Sequence, residues 1–177
     1  MRYTECDRGF FSQSAEKLAP QLLGKVLCRR FPNGSLHRFR IYDVEAYCAE
    51  DTANYGYGHE ENKRRTKANA PLFQKGGTWC VYGGMLLVVC GQEGKPDNVL
   101  IRGCADQDSL YDGPLKVATA LHIGRQNQLH GEDILSSQIL WLETDDSIGS
   151  LCKRMRWGLS DSVDEDDKKR RWRFTTI

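Results

Sequence analysis

Two extended runs, KVLCRRF from Lys25 and LHRFRIYDV from Leu36, are joined by a segment containing Pro32-Asn33-Gly34. Asn-Gly readily takes the positive φ angles of a tight reversal, so the two runs form an antiparallel hairpin. This junction constrains the fold more than any other feature, because it ties the earliest strands into a locally paired ribbon. A second pair, TWCVY and MLLVVC, turns about Gly83-Gly84, and NVLIRGC and QILWLE add two further strands. Between them SAEKLAPQLLG reads as a short helix capped by Ser14, with Leu18, Leu22 and Leu23 at helical spacing and Gly24 as its stop. DGPLKVATALHIG reads as another, opened by Asp112 or Gly113 with Pro114 in its first turn. Strands that arrive as hairpins, with helices at intervals, predict an α+β fold around a curved, largely antiparallel sheet.

The length of 177 residues suits one domain spanning 1–177, with enough chain to bury a real core. No apolar run approaches the roughly 20 residues needed to span a bilayer, and MRYTECDRGFF lacks the apolar stretch of a secretory signal. An intracellular location is expected, with no membrane partner. The seven cysteines (Cys6, Cys28, Cys48, Cys80, Cys90, Cys104 and Cys152) are odd in number and never spaced as CxxC, which argues for unpaired buried thiols and against a zinc site.

Net charge is only +1, yet the charges come in blocks. Lys25, Arg29, Arg30, Arg38 and Arg40 lie in a stretch without acids, and Lys63, Arg64, Arg65, Lys67 and Lys75 form a second. The acids gather in DVEAYCAED and DSVDEDD. Such separation predicts local positive faces of the kind that meet a phosphate backbone, although scattered surface lysines would look the same. The start of the second helix adds Lys116 beside free N–H groups, a further phosphate candidate.

The most suggestive stretch for chemistry is VEAYCAEDTANYGYGH, Val44 to His59. Glu45 stands at a strand end, a rigid mount, with Tyr47, Tyr55, Tyr57 and His59 following closely. Tyr47 shares its face, because residues two apart on a strand point the same way. A carboxylate among flat rings fits a general base beside a pocket for a planar substrate. It also fits a polar loop with surface tyrosines.

With these residues in view, the chain resembles the alkyladenine (3-methyladenine) DNA glycosylases of the single-domain vertebrate and bacterial type. The matching pieces are APQLLGKVLCRRFPNG, VEAYCAED, RRT, GTWCVY, GGM, VLIRG, DGPLKVATAL, the ED of Glu132-Asp133, WLE and RWRF, in the family's order from Ser14 to Phe174. The resemblance implies an enzyme that flips a damaged purine out of duplex DNA and hydrolyses its N-glycosidic bond. It implies Glu45 as the group that activates water, Arg102 as the holder of that water or of the adjacent phosphate, and Tyr47 as a stacking ring. It further implies a DNA-facing loop at Lys63, Arg64, Arg65, Thr66 and Lys67 and a DNA-facing hairpin at Gly83. No cofactor is implied, and a monomer is expected. Arg102 could instead simply pair with Glu45 or Asp51.

Three departures from the family pattern stand out. Tyr55 occupies the position of a base-contacting His, with His59 four residues on. The hairpin between Tyr82 and Met85 is two residues short, so Tyr82 serves as pocket aromatic or as wedge but not both, and Gly83 replaces the intercalating ring. Cys90 stands where the family has an Asn that excludes guanine, which would relax purine selection. Two readings follow: a monofunctional glycosylase for alkylated or deaminated purines, or a divergent, weakly catalytic module that binds distorted or single-stranded DNA.

Overall fold

The computed structural model describes residues 6–58, 65–124, 128–145 and 149–176. The first hairpin forms as expected: β1 (Val26–Arg30) pairs antiparallel with β2 (Leu36–Tyr47), Val26 opposite Arg40 and Arg30 opposite Leu36. Gly34, at φ +85°, closes the turn by donating its N–H to the Phe31 carbonyl. The second hairpin joins β3 (Thr78–Tyr82) to β4 (Met85–Val89) through Gly83 and Gly84 alone. Both have positive φ, +58° and +81°, as a two-residue reversal of this twist demands.

β5 (Asn98–Ala105) lies between β4 and β2, and β7 (Leu140–Glu143) flanks β1, giving the order β3-β4-β5-β2-β1-β7. β6 (Leu110–Asp112) adds to β5, while the C-terminal ribbon of β8 (Leu151–Arg154) and β9 (Arg173–Thr176) attaches to β2. Every named pairing is antiparallel. β2 is the pivot. Along one edge its first half bonds β1 and its later residues Asp43 to Glu45 bond β9, while its other edge runs against β5. The β2/β5 register breaks around Asp43, a bulge of the kind that bends a strand and re-aims its side chains. The outcome is the curved antiparallel sheet of an α+β fold.

Among the described residues four short helices flank the sheet: α1 (Arg8–Phe11), α2 (Ala15–Leu22), α3 (Pro114–Ala120) and α4 (Glu165–Lys168). Ser14 does precede α2, but its side chain makes no capping bond. The Asp97 carboxylate takes that task, accepting from the N–H groups of Ala15 at 3.2 Å and Ala49 at 2.6 Å. No helix among the described residues is long and apolar enough to cross a membrane.

Alternation splits the sheet into two faces. Val44, Ala46, Val81, Leu86, Val88, Val99 and Ile101 enter the main core with Trp79 and the leucines of α2. Tyr47, Cys80, Leu87, Val89 and Leu100 point the other way and pack on Leu72 and Phe73 of a 3-10 turn at Ala70–Phe73. Glu45 and Arg102 share the parity of Tyr47 and Leu100, so they belong to this second face. All seven cysteines lie among the described residues, six of them buried, and none is disulfide-bonded.

Three of the five cations in the first basic block are buried or paired with acids, while Lys25 bonds the Thr144 hydroxyl and Arg30 is exposed. Arg29 is buried and donates to the carbonyl of Leu121, Arg38 pairs with Glu143, and Arg40 pairs with Asp145. Three of the four acids of DVEAYCAED, Asp43, Glu45 and Asp51, are buried, while Glu50 is exposed. Block charge in the sequence here reports internal pairing more than surface potential.

Candidate active site

On the second face the sheet carries a cleft of about 430 Å³, within the range typical of small-molecule pockets. Its lining includes Glu45, Tyr47, Tyr55, Met85, Leu100, Arg102, Pro114 and Trp157. Glu45 has no exposed surface, and its carboxylate is held from three sides. The Tyr47 hydroxyl donates to Oε2 at 2.7 Å, the backbone N–H of Trp157 donates to Oε1 at 2.9 Å, and Arg102 Nη1 lies 3.4 Å from Oε1. Burial, followed by the neighbouring Glu45, pushes the Tyr47 hydroxyl well above its ordinary range, so it stays a neutral donor.

Arg102 is the loosest member of this group. Its Nε sits 3.6 Å from Asp43 Oδ2 and makes no hydrogen bond among the described residues, although it is buried. Asp43 is instead held by Arg173, which donates to both of its oxygens at 3.0 and 2.7 Å. Asp51 does not line the cleft. It forms a fully buried ion pair with Arg156, which also donates to the carbonyls of Ala46 and Asp167. The Arg156 guanidinium lies over the Tyr47 ring at 4.7 Å and near Trp172 at 5.4 Å.

The loop after β2 is set by Asn54. Its amide donates to the carbonyls of Tyr47, Cys48 and Pro96, and its oxygen accepts from Gly56 N–H. Gly56 packs so tightly that a Cβ there would lie 2.3 Å from Pro96. Tyr55, between them, presents its ring to the cleft and stacks on Tyr82 with centroids 4.2 Å apart and planes at 21°. Tyr82 therefore backs Tyr55 and does not project as a wedge. Burial, then Tyr82 and Glu45, raise the Tyr55 hydroxyl above its usual value.

Cys90 departs from the expectation. It lies one residue past β4 with the parity of Leu86 and Val88, entirely within the main core on the opposite face. Burial holds its thiol well above the ordinary range. It does not reach the cleft, so relaxed purine selection has no support from this side chain.

Of the DNA-loop candidates, Lys63 and Arg64 lie outside the described residues, as does His59. Arg65 places its guanidinium over the Phe73 ring at 4.0 Å. The Thr66 backbone N–H is held by Asn69 Oδ1 at 2.8 Å, which shapes a turn with Lys67 exposed. Lys67 and Gly83 come together in a second depression, whose floor includes His130. That imidazole accepts from Val81 N–H at Nδ1 and therefore donates from Nε2 to the Lys67 carbonyl at 2.7 Å, clamping the basic segment to the sheet edge. Lys116 is exposed in the first turn of α3, next to the exposed Leu115. No group of three His, Cys, Asp or Glu among the described residues is placed to hold a metal ion.

Asp43, Arg156, Trp157 and Arg173 are site members that the sequence reading missed. Asp43 was within reach, two residues before Glu45 on the same strand face. Arg156, Trp157 and Arg173 come from the C-terminal ribbon, over 100 positions away, and no local spacing marks them.

Comparison with known proteins bears on the family. The methylpurine-DNA glycosylase family profile matches residues 9–176. A human protein named DNA-3-methyladenine glycosylase is 30% identical over 162 residues, covering 76% of this chain and 52% of its own length. A provisionally named 3-methyladenine DNA glycosylase of Clostridium botulinum (strain Langeland) is 30% identical over 165 residues, covering 77% of this chain and 78% of its own. The match thus spans about half of the human relative and most of the bacterial one.

Proposed function

The chain belongs to the methylpurine-DNA glycosylase family, and we propose that it removes an alkylated or deaminated purine from DNA by hydrolysing the N-glycosidic bond. The observation that carries this reading is how the Glu45 carboxylate is bonded. A carboxylate offers about four lone-pair sites. Tyr47 takes one on Oε2, while Trp157 N–H and Arg102 share Oε1. The remaining site on Oε2 is suited to accept a proton from water.

In this mechanism the water oxygen bonds to the sugar C1′ as the C1′–N bond breaks. The bonding electrons leave with the purine, and Glu45 accepts the water proton. Positive charge builds on the sugar during that step, and a carboxylate beside it is stabilising. Arg102 is the residue able to move. Its 3.4 Å contact to Oε1 exceeds good hydrogen-bond length, so it is free to turn toward the adjacent phosphate while the water bonds at Oε2. Tyr55, backed by Tyr82, supplies a flat face for the extruded base.

Lys67 and Gly83, which share the second depression, and Lys116 in the first turn of α3 would form the phosphate-facing rim, with Arg65 and Thr66 extending it. Residues 1–177 are read as one such unit, acting as a monomer without a cofactor.

The glycine-only tip of the β3–β4 hairpin favours a second reading. With no side chain at Gly83 or Gly84 to fill the gap left by a flipped base, activity should lean toward single-stranded or badly paired DNA. Release of free base from oligonucleotides carrying an alkylated or deaminated purine, in single- and double-stranded form, tests both. Release supports the enzyme and its strand preference reports the missing wedge. Binding without release from any substrate would replace the enzyme reading with a DNA-binding module.

A further inference from the structure

Three of the four tryptophans, Trp79, Trp141 and Trp172, are buried at 0, 4 and 8% exposure, whereas Trp157 is 72% exposed. This exposed indole lines the same cleft as Glu45 and offers a large flat apolar face to whatever enters it. Its backbone, in contrast, is fixed. The Trp157 N–H is bonded to Glu45, the preceding Arg156 is locked into its buried pair with Asp51, and Gly158 at φ +72° turns the chain away. The indole thus projects from a fixed backbone point at the rim of the cleft.

The other rings of the cleft leave a need for one. Tyr47 is nearly buried with a guanidinium over its ring, and its hydroxyl is committed to Glu45. Tyr55 has one face occupied by Tyr82. The Arg102 guanidinium is 5.8 Å from the Trp157 ring centroid, a contact at the outer limit of the cation–π range that leaves most of the exposed indole open.

We propose that Trp157 is a substrate-stacking residue, which lies against the extruded purine and closes the cleft together with Tyr55. The inference rests on the reading of the cleft as a site for a damaged purine and names the residue that grips it. An indole grips any flat base without reading its exocyclic groups. It would add affinity where the hairpin supplies none, and it places the gripped base beside the carboxylate that its own backbone orients.

The burial pattern makes Trp157 directly observable, because iodide in solution reaches its emission and not that of the three buried tryptophans. Two fluorescein-labelled oligonucleotides serve as probes, with binding followed by anisotropy. One carries a 2′-fluoro etheno-adenine nucleotide, whose fluorine slows loss of the base. The other carries a tetrahydrofuran abasic analogue at the same position. The lesion oligonucleotide should shield Trp157 from iodide, and the abasic one should not. Trp157→Ala should weaken lesion binding by roughly 5- to 150-fold, the range of base–aromatic stacking, and leave abasic binding unchanged. Trp157→Phe, which keeps a ring, should stay within a few-fold of wild type and guards against misfolding of the alanine variant. Equal shielding by both probes, no shielding in a bound lesion complex, or shielding that rises with protein concentration alone would each overturn the proposal. If neither probe binds, the DNA reading itself fails, and this inference falls with it.

Discussion

The backbone N–H of Trp157 donates to Glu45 Oε1 at 2.9 Å, so a residue 112 positions further along the chain orients the candidate base. The C-terminal ribbon is therefore part of the site. Its anchor is Arg156, whose guanidinium satisfies Asp51 and the carbonyls of Ala46 and Asp167 in a fully buried position.

Breaking that anchor should be costly. Arg156→Met leaves the Asp51 charge buried without its partner, and such single removals typically cost about 3–5 kcal/mol. Urea denaturation should show this loss. The double variant Asp51→Leu/Arg156→Met should recover part of it, since no unpaired charge remains. Equal losses in the single and double variants would mean that packing on Tyr47 and Trp172, not charge, makes the anchor.

Acid should loosen the same region through Asp167. Burial opposes ionisation of this carboxyl, yet bonds from the Thr52 hydroxyl and N–H and from Arg170 prevail and lower its pKa to about 2 from 3.8. A carboxyl depressed in the folded state stabilises above its unfolded pKa, and that stability drains away as pH falls from about 4 to about 2. Thr52 lines the cleft, so its wall is affected directly. Compared with Asp167→Asn, the wild type should lose more stability between pH 5 and pH 2.5 in urea titrations. Parallel pH dependence in the two proteins would refute the assignment.

Tyr55 should matter through its ring and not its hydroxyl. Tyr55→Phe keeps the stack on Tyr82 and should bind a lesion oligonucleotide as wild type does. Tyr55→Ala should weaken binding by about 1–3 kcal/mol, the usual worth of a stacked base. Equal loss in both variants would point to a hydrogen bond in place of stacking.

On the phosphate rim, Lys67→Ala and Lys116→Ala should each weaken binding to all sequences alike. Each should also reduce the slope of log affinity against log salt by about one unit. An unchanged slope in either variant removes that lysine from the rim.

Much of this architecture was legible in the chain. Gly34, Gly83 and Gly84 mark both hairpins because each takes the positive φ its turn requires, and the EAY stretch marks the strand carrying Glu45. Arg102 was singled out by the resemblance alone, and that it shares a face with Glu45 depends on the β2–β5 register, which no local pattern encodes. Cys90 shows where that reasoning stopped. Its match to a pocket position ignored the alternation of β4, which directs it into the core. The ribbon contributing Arg156, Trp157 and Arg173 was unreadable for a different reason. Its role arises from long-range pairing with β2 and from a buried ion pair, neither of which leaves a periodic trace in the sequence.

The central claim, that Glu45 activates water, is tested most directly by Glu45→Gln in single-turnover excision alongside lesion-DNA binding. Gln preserves the shape and can still accept from Trp157 N–H, but it is no longer a base. The account predicts a rate lower by about 10²–10⁴-fold, the usual worth of general-base assistance, with binding near wild type or tighter. An unchanged excision rate would contradict it and reduce Glu45 to a structural counter-ion of Arg102.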